Sequence, residues 1–191
     1  MLSFTFLLLS AGLIALGAVL WRLSSSQDAY KVASFCLWIG AYACIANAPV
    51  FNLSIEPEMA TLGNNLGLYV GFPMMALVLL DLALGWEWQK ATWGRIFLGL
   101  AAMFELMRRA ESGNSYGEFL LMACILALLI AFFKIIKNAI ASGQAFKKHS
   151  IVLGFYFGLM VASLWSINTT FALLWNSLTL LTFGGYLYFS A

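Results

Sequence analysis

Residues 150–191 read SIVLGFYFGLMVASLWSINTTFALLWNSLTLLTFGGYLYFSA, without a single acidic, basic or histidine side chain. As one α-helix this stretch would run ~60 Å, twice the hydrocarbon core of a bilayer. It is too long and too apolar to be the core helix of a soluble domain, so it belongs in lipid and must reverse direction once. Asn168-Thr169-Thr170 is the polar cluster placed to make that turn. The backbone groups freed there need water or side-chain partners, which sets the turn at a membrane interface. Two spans follow, 151–167 and 171–189.

The rest of the chain repeats the pattern. Of its 191 residues, 63% are hydrophobic and 9% charged, against about 25% charged in soluble domains. Apolar runs near the required ~20 residues occupy 2–21, 32–51, 62–84, 91–107 and 119–133. The longest non-apolar run, 108–118, is a loop, and residues 1–191 form one transmembrane helical domain. The first run lacks a basic leader and meets its first positive charge, Arg22, only at its end. It reads as a retained helix with its N-terminus outside, not a cleaved signal.

Charge placement orients the bundle. With the N-terminus outside, the inner segments carry Arg22, Lys31, Lys90, Arg95, Lys134, Lys137, Lys147 and Lys148, and the outer ones carry Arg108 and Arg109. Basic residues concentrate on the cytoplasmic side of membrane proteins. Segment 91–107 is the weakest span, with Arg95 and Glu105 inside it. Removing it would invert everything downstream and place Lys134, Lys137, Lys147 and Lys148 outside. The predicted fold is therefore an all-α integral membrane protein, a bundle of seven transmembrane helices with its N-terminus outside and C-terminus inside. Its place is the cell membrane as a multi-pass chain, the inner membrane if the source is bacterial. Trp86, Trp88 and Trp93 fit an interfacial belt at the inner face.

Internal similarity is faint. Phe6-Leu7-Leu8-Leu9 matches Phe119-Leu120-Leu121-Met122, and the string at 26–31 matches that at 142–147. These matches describe a 3+1+3 parallel repeat with the fourth helix as linker; chance likeness between apolar segments is the other reading. A seven-helix chain of that layout resembles, in topology alone, the sugar and amino-acid facilitators of the PQ-loop kind. Their Pro-Gln signatures are absent here, and Asn47-Ala48-Pro49 does not replace them.

Several chemistries are excluded by inventory. The one histidine, His149, stands in a basic inner loop, so bis-histidine haem and histidine-rich metal sites are ruled out. No phosphate-binding loop or nucleophile motif occurs. The last span has no lysine for a retinal Schiff base. The net charge of +2 is spread over short loops, which argues against nucleic acid. Cys36 and Cys44 are ~12 Å apart on a helix, too far for a disulfide. No cofactor, no metal and no catalytic residue is expected.

Two acids fall within the predicted spans. Asp81 lies one turn from the inner end, near Lys90 and Arg95, where an interfacial ion pair is the plain reading and a functional acid the sharper one. Glu105, near the outer end, has Arg108 and Arg109 at ion-pair spacing. Their opposite depths exclude a shared carboxylate dyad. Pro73 predicts a kink, because the carbonyl of Tyr69 loses its helical partner. Gly63, Gly67 and Gly71, like Gly154, Gly158 and Ala162, permit close helix approach.

A distribution carries the functional expectation. Asn47, Asn64, Asn65, Glu105, Arg108 and Asn168 map to outer helix ends, and Asn176, Thr179 and Thr182 continue a polar stripe inward. Polar groups in lipid face cavities or one another. The first expectation is a non-enzymatic protein that binds a small solute, or facilitates its passage, through a cavity open to the outer face. The second is a structural or sensory subunit, with other membrane subunits or further copies of itself as partners beside the lipid bilayer.

Overall fold

The computed structural model describes residues 2–23, 28–46, 57–110 and 112–141. Their regular structure is entirely helical: α1 (Leu2–Leu23), α2 (Asp28–Ala46), α3 (Pro57–Leu66), a π-helical turn (Gly67–Gly71), α4 (Phe72–Leu84), α5 (Lys90–Arg109) and α6 (Gly113–Ala141). Three stretches are long and apolar enough to cross a membrane: Asp28–Ala46, Thr61–Leu84 and Ser115–Ile135. They overlap the predicted second, third and fifth spans. The apolar part of α1, Leu7–Arg22, is shorter. In α5, Arg95 and Glu105 lie inside the helix and Lys90, Arg108 and Arg109 sit at its ends, which keeps it out of this group. The predicted spans 151–167 and 171–189 lie outside the described residues, as do Asn47, Asn168, Asn176, Thr179 and His149.

Small side chains decide where α2 sits. Ala33, Cys36, Ala41, Ala43 and Cys44 are buried on several sides of the helix, because α1 packs along one flank and α3, the π-turn and α4 along another. In lipid, close approach of small residues supplies the packing energy that hydrophobicity cannot. Glycines take the same role across the interface. A methyl group on Gly63 would stand 3.1 Å from Cε1 of Tyr42, and one on Gly71 would stand 3.3 Å from Cγ2 of Ile39. The glycine series thus packs within the chain, against α2. All three cysteines are free and buried.

Pro73 shapes the third span differently from a simple kink. The helix widens before it, and the Phe72 N–H donates to the carbonyl of Gly67, five residues back. A π-turn of this kind absorbs the clash between the proline ring and the preceding turn while the backbone stays right-handed. Leu66 and Phe72, on either side, both keep helical φ and ψ. Tyr69, inside the turn, stacks on Phe104 of α5 at 4.2 Å and on Tyr116 of α6 at 6.2 Å.

Polar side chains in the buried helices satisfy themselves locally. Ser34 Oγ donates to the Tyr30 carbonyl and Ser10 Oγ to the Leu7 carbonyl, each at 2.8 Å. This back-bonding removes an unpaired hydroxyl from an apolar interior.

Candidate functional site

The sequence Leu84-Gly85-Trp86-Glu87-Trp88-Gln89 closes α4 and opens α5. Gly85 adopts the left-handed conformation (φ 68°), which lets its N–H and that of Trp86 donate to the carbonyl of Asp81 at 2.8 and 3.2 Å. The chain then turns back far enough for the Trp88 N–H to donate to Asp81 Oδ1 at 3.1 Å. Asp81 is 3% exposed. Its carboxylate fastens the loop, so the interfacial ion pair expected with Lys90 or Arg95 gives way to a backbone contact. The reason is the glycine turn, which delivers a peptide N–H where a lysine was expected. Trp86 stacks on Trp88 at 5.1 Å, and Trp88 meets the edge of Trp93 at 5.2 Å. These are the three tryptophans predicted to form a belt.

Lys90 finds another acid. Asp28, at the start of α2, accepts a hydrogen bond from Lys31 at 3.5 Å and forms an ion pair with Lys90 at 3.9 Å, both through Oδ1. The acid in the first turn of α2 also suits the positive end of that helix. These three charges border a cavity of about 580 Å³ between the end of α1, the start of α2, α4 and the start of α5. Its walls are aromatic: Trp21, Phe35, Trp93 and Phe97 line it. Phe35 and Phe97 meet edge to face at 5.6 Å, and Trp21 is stacked on Trp38 at 5.7 Å, so the walls are braced. Gly94 also lines the space, and a methyl group added there would meet nothing within 4 Å. Trp93 is 2% exposed, and among the described residues its buried indole Nε1 has no hydrogen-bond partner.

The other end of α5 is self-contained. Arg108 grips Glu105 with two hydrogen bonds of 2.8 Å, and Arg109 adds a third of 2.8 Å. This is the pairing that the spacing predicts, and it uses both carboxylate oxygens. Asn64, which has interaction partners, and Asn65 are half-buried on α3. Asn65 is one turn before Tyr69, which stacks on Phe104 beside Glu105. Asn64, Asn65, Glu105 and Arg108 therefore lie toward one end of the described helices, and Asp81 toward the other. Along α5 the separation between the Trp88 contact of Asp81 and Glu105 is ~25 Å. Among the described residues no group of three or more His, Cys, Asp or Glu side chains is placed to hold a metal ion.

The cavity was not anticipated at this end. Its residues come from four helices, and the signals available were two weak ones: Asp28 three residues before Lys31, and a tryptophan-rich loop before Lys90. No protein-family model, no curated protein and no solved structure matches the chain.

Proposed function

We propose that this chain is a multi-pass membrane protein that holds a small molecule between its helices, a binding or facilitating role without a chemical step. The observation that carries the reading is the aromatic-walled cavity beside Asp28, Lys31 and Lys90. Ligand sites are concave, mostly apolar, ~300–1,000 Å³ in volume and furnished with few polar groups. This cavity matches that description in volume and in lining, and it opens widely on one side. The seven-span arrangement in the cell membrane, N-terminus outside and C-terminus inside, belongs to the same proposal. It places the cavity at the inner leaflet. In its favour, Trp21, Asp28, Lys31 and Lys90 converge on one cavity, while both arginines at the opposite end are held by 2.8 Å hydrogen bonds to Glu105.

Two glycines of α5 make the test. Gly94 borders the cavity and Gly99 does not, and a methyl group added at either meets nothing within 4 Å. Both substitutions also remove a residue unfavourable in helices. Photolabelling with a diazirine-bearing alkyl probe, mapped by peptide mass spectrometry, is expected to mark residues 90–98. Gly94→Leu removes that label and Gly99→Leu keeps it. Equal labelling of both variants overturns the reading.

A second reading has its own observation. Phe119, Met122, Leu126, Ile130 and Phe133 form an exposed apolar stripe along α6. Such a face suits another membrane subunit or a second copy of the chain. Native mass spectrometry of the particle purified from its own membrane tests this: stoichiometric foreign chains favour it, and a lone monomer removes it.

A further inference from the structure

We infer that the occupant of the cavity is an anionic phospholipid drawn from the leaflet that Lys31 and Lys90 face. This rests on the ligand-binding reading above and assigns the chemical class of the ligand.

The charges at the cavity do not balance. One carboxylate oxygen, Asp28 Oδ1, serves two ammonium groups at 3.5 and 3.9 Å. Optimised charge-assisted hydrogen bonds are ~2.7–2.9 Å long. The cluster of Asp28, Lys31 and Lys90 therefore retains one net positive charge and spare donors. Lys31 is 34% exposed and Lys90 is 74% exposed at the side chain, so both reach beyond Asp28. A second anion beside them would complete a balanced quartet.

The walls restrict what that anion is attached to. A free inorganic anion would leave Trp21, Phe35, Phe97 and Leu98 without a role, and a neutral apolar molecule would leave the ammonium groups unanswered. A molecule with an alkyl body and an anionic head answers both. The adjoining Trp86-Trp88-Trp93 stack marks this end as headgroup depth, where such a molecule is supplied by the bilayer itself. Basic pockets between transmembrane helices on the cytoplasmic side are suited to anionic headgroups. Among the described residues the buried indole N–H of Trp93, a wall of the cavity, has no acceptor, and it is a donor that an ester carbonyl of the same lipid could take up.

The experiment is a titration of the purified full-length protein with phosphatidylglycerol and, separately, phosphatidylcholine, with bound lipids counted by native mass spectrometry. One phosphatidylglycerol per chain is expected, with a clear preference over phosphatidylcholine. Lys90→Gln lowers phosphatidylglycerol binding roughly fivefold and leaves phosphatidylcholine unchanged. Lys31→Gln with Lys90→Gln abolishes the preference. Asp28→Asn strengthens it, a gain that damage to the fold would not produce. Equal binding of the two lipids, both lost in Gly94→Leu, overturns the anionic assignment while the cavity remains a ligand site. Lipid binding indifferent to Gly94→Leu overturns both. A phosphatidylglycerol preference unmoved by the lysine variants also overturns the assignment.

Discussion

The indole of Trp38 covers the backbone of Gly17 so closely that a methyl group on Gly17 would stand 2.5 Å from Nε1 and 2.9 Å from Cδ1. Trp38 in turn stacks on Trp21, a wall of the cavity. The α1–α2 contact and the cavity therefore share one side chain. Gly17→Leu is expected to lower stability by about 1–3 kcal/mol through overpacking. Adding Trp38→Ala should recover part of the loss, as measured by thermal unfolding in detergent. Strict additivity of the two effects would show that the residues do not meet in solution.

Asp81 organises the loop between α4 and α5 through the Trp88 N–H. Asp81→Ala leaves that donor without its acceptor and should cost roughly 1–3 kcal/mol. Asp81→Asn keeps an oxygen in place and should cost distinctly less. Denaturant unfolding followed by tryptophan fluorescence reads both, since Trp86 and Trp88 flank the contact. Equal losses in the two variants would mean that the carboxylate charge matters more than the hydrogen bond.

Glu87 is a non-glycine residue at φ 53°. The left-handed conformation costs ordinary residues about 1–2 kcal/mol. Glu87→Gly should therefore raise stability by about 1 kcal/mol, whereas Gly85→Ala, at φ 68°, should lower it by a similar amount. A neutral Glu87→Gly would indicate that the turn relaxes when free of strain.

Glu105 is occupied by Arg108 and Arg109 and stands ~25 Å along α5 from the Asp81 loop. Glu105→Gln should leave photolabelling of residues 90–98 unchanged. Loss of labelling in this variant would draw the outer polar cluster into the same functional unit as the cavity.

What the sequence disclosed follows the range of the forces involved. Apolar runs locate helices because a helix that crosses a bilayer must be apolar along its length, and the runs at 32–51, 62–84 and 119–133 each overlap a helix of the fold. Helix ends are less legible: α2 starts at Asp28, four residues before its run, and α6 extends to Ala141, past Lys134 and Lys137. The Glu105–Arg108–Arg109 set was readable because partners three and four residues apart meet on any helix. The partner of Lys90 was not. Asp81 is nearer in sequence, but the turn at Gly85 gives its carboxylate to a peptide N–H, and Asp28 arrives from another helix. The cavity is a product of that same long-range meeting.

The π-turn at Gly67–Gly71 has a consequence for the phase of the whole third span. Residues four apart on a regular α-helix drift by about 40° around the axis at each step, so a glycine series at 63, 67 and 71 would spiral away from a straight neighbour. A wider turn holds more residues per revolution and takes back part of that drift, and both Gly63 and Gly71 remain against α2. Deleting one residue from this segment would restore an unbroken α-helix and leave the phase of α3 relative to α4 little changed, because a π-turn is one extra residue carried inside an α-helix. The widened turn thus carries its extra residue while both glycines keep their contact with α2.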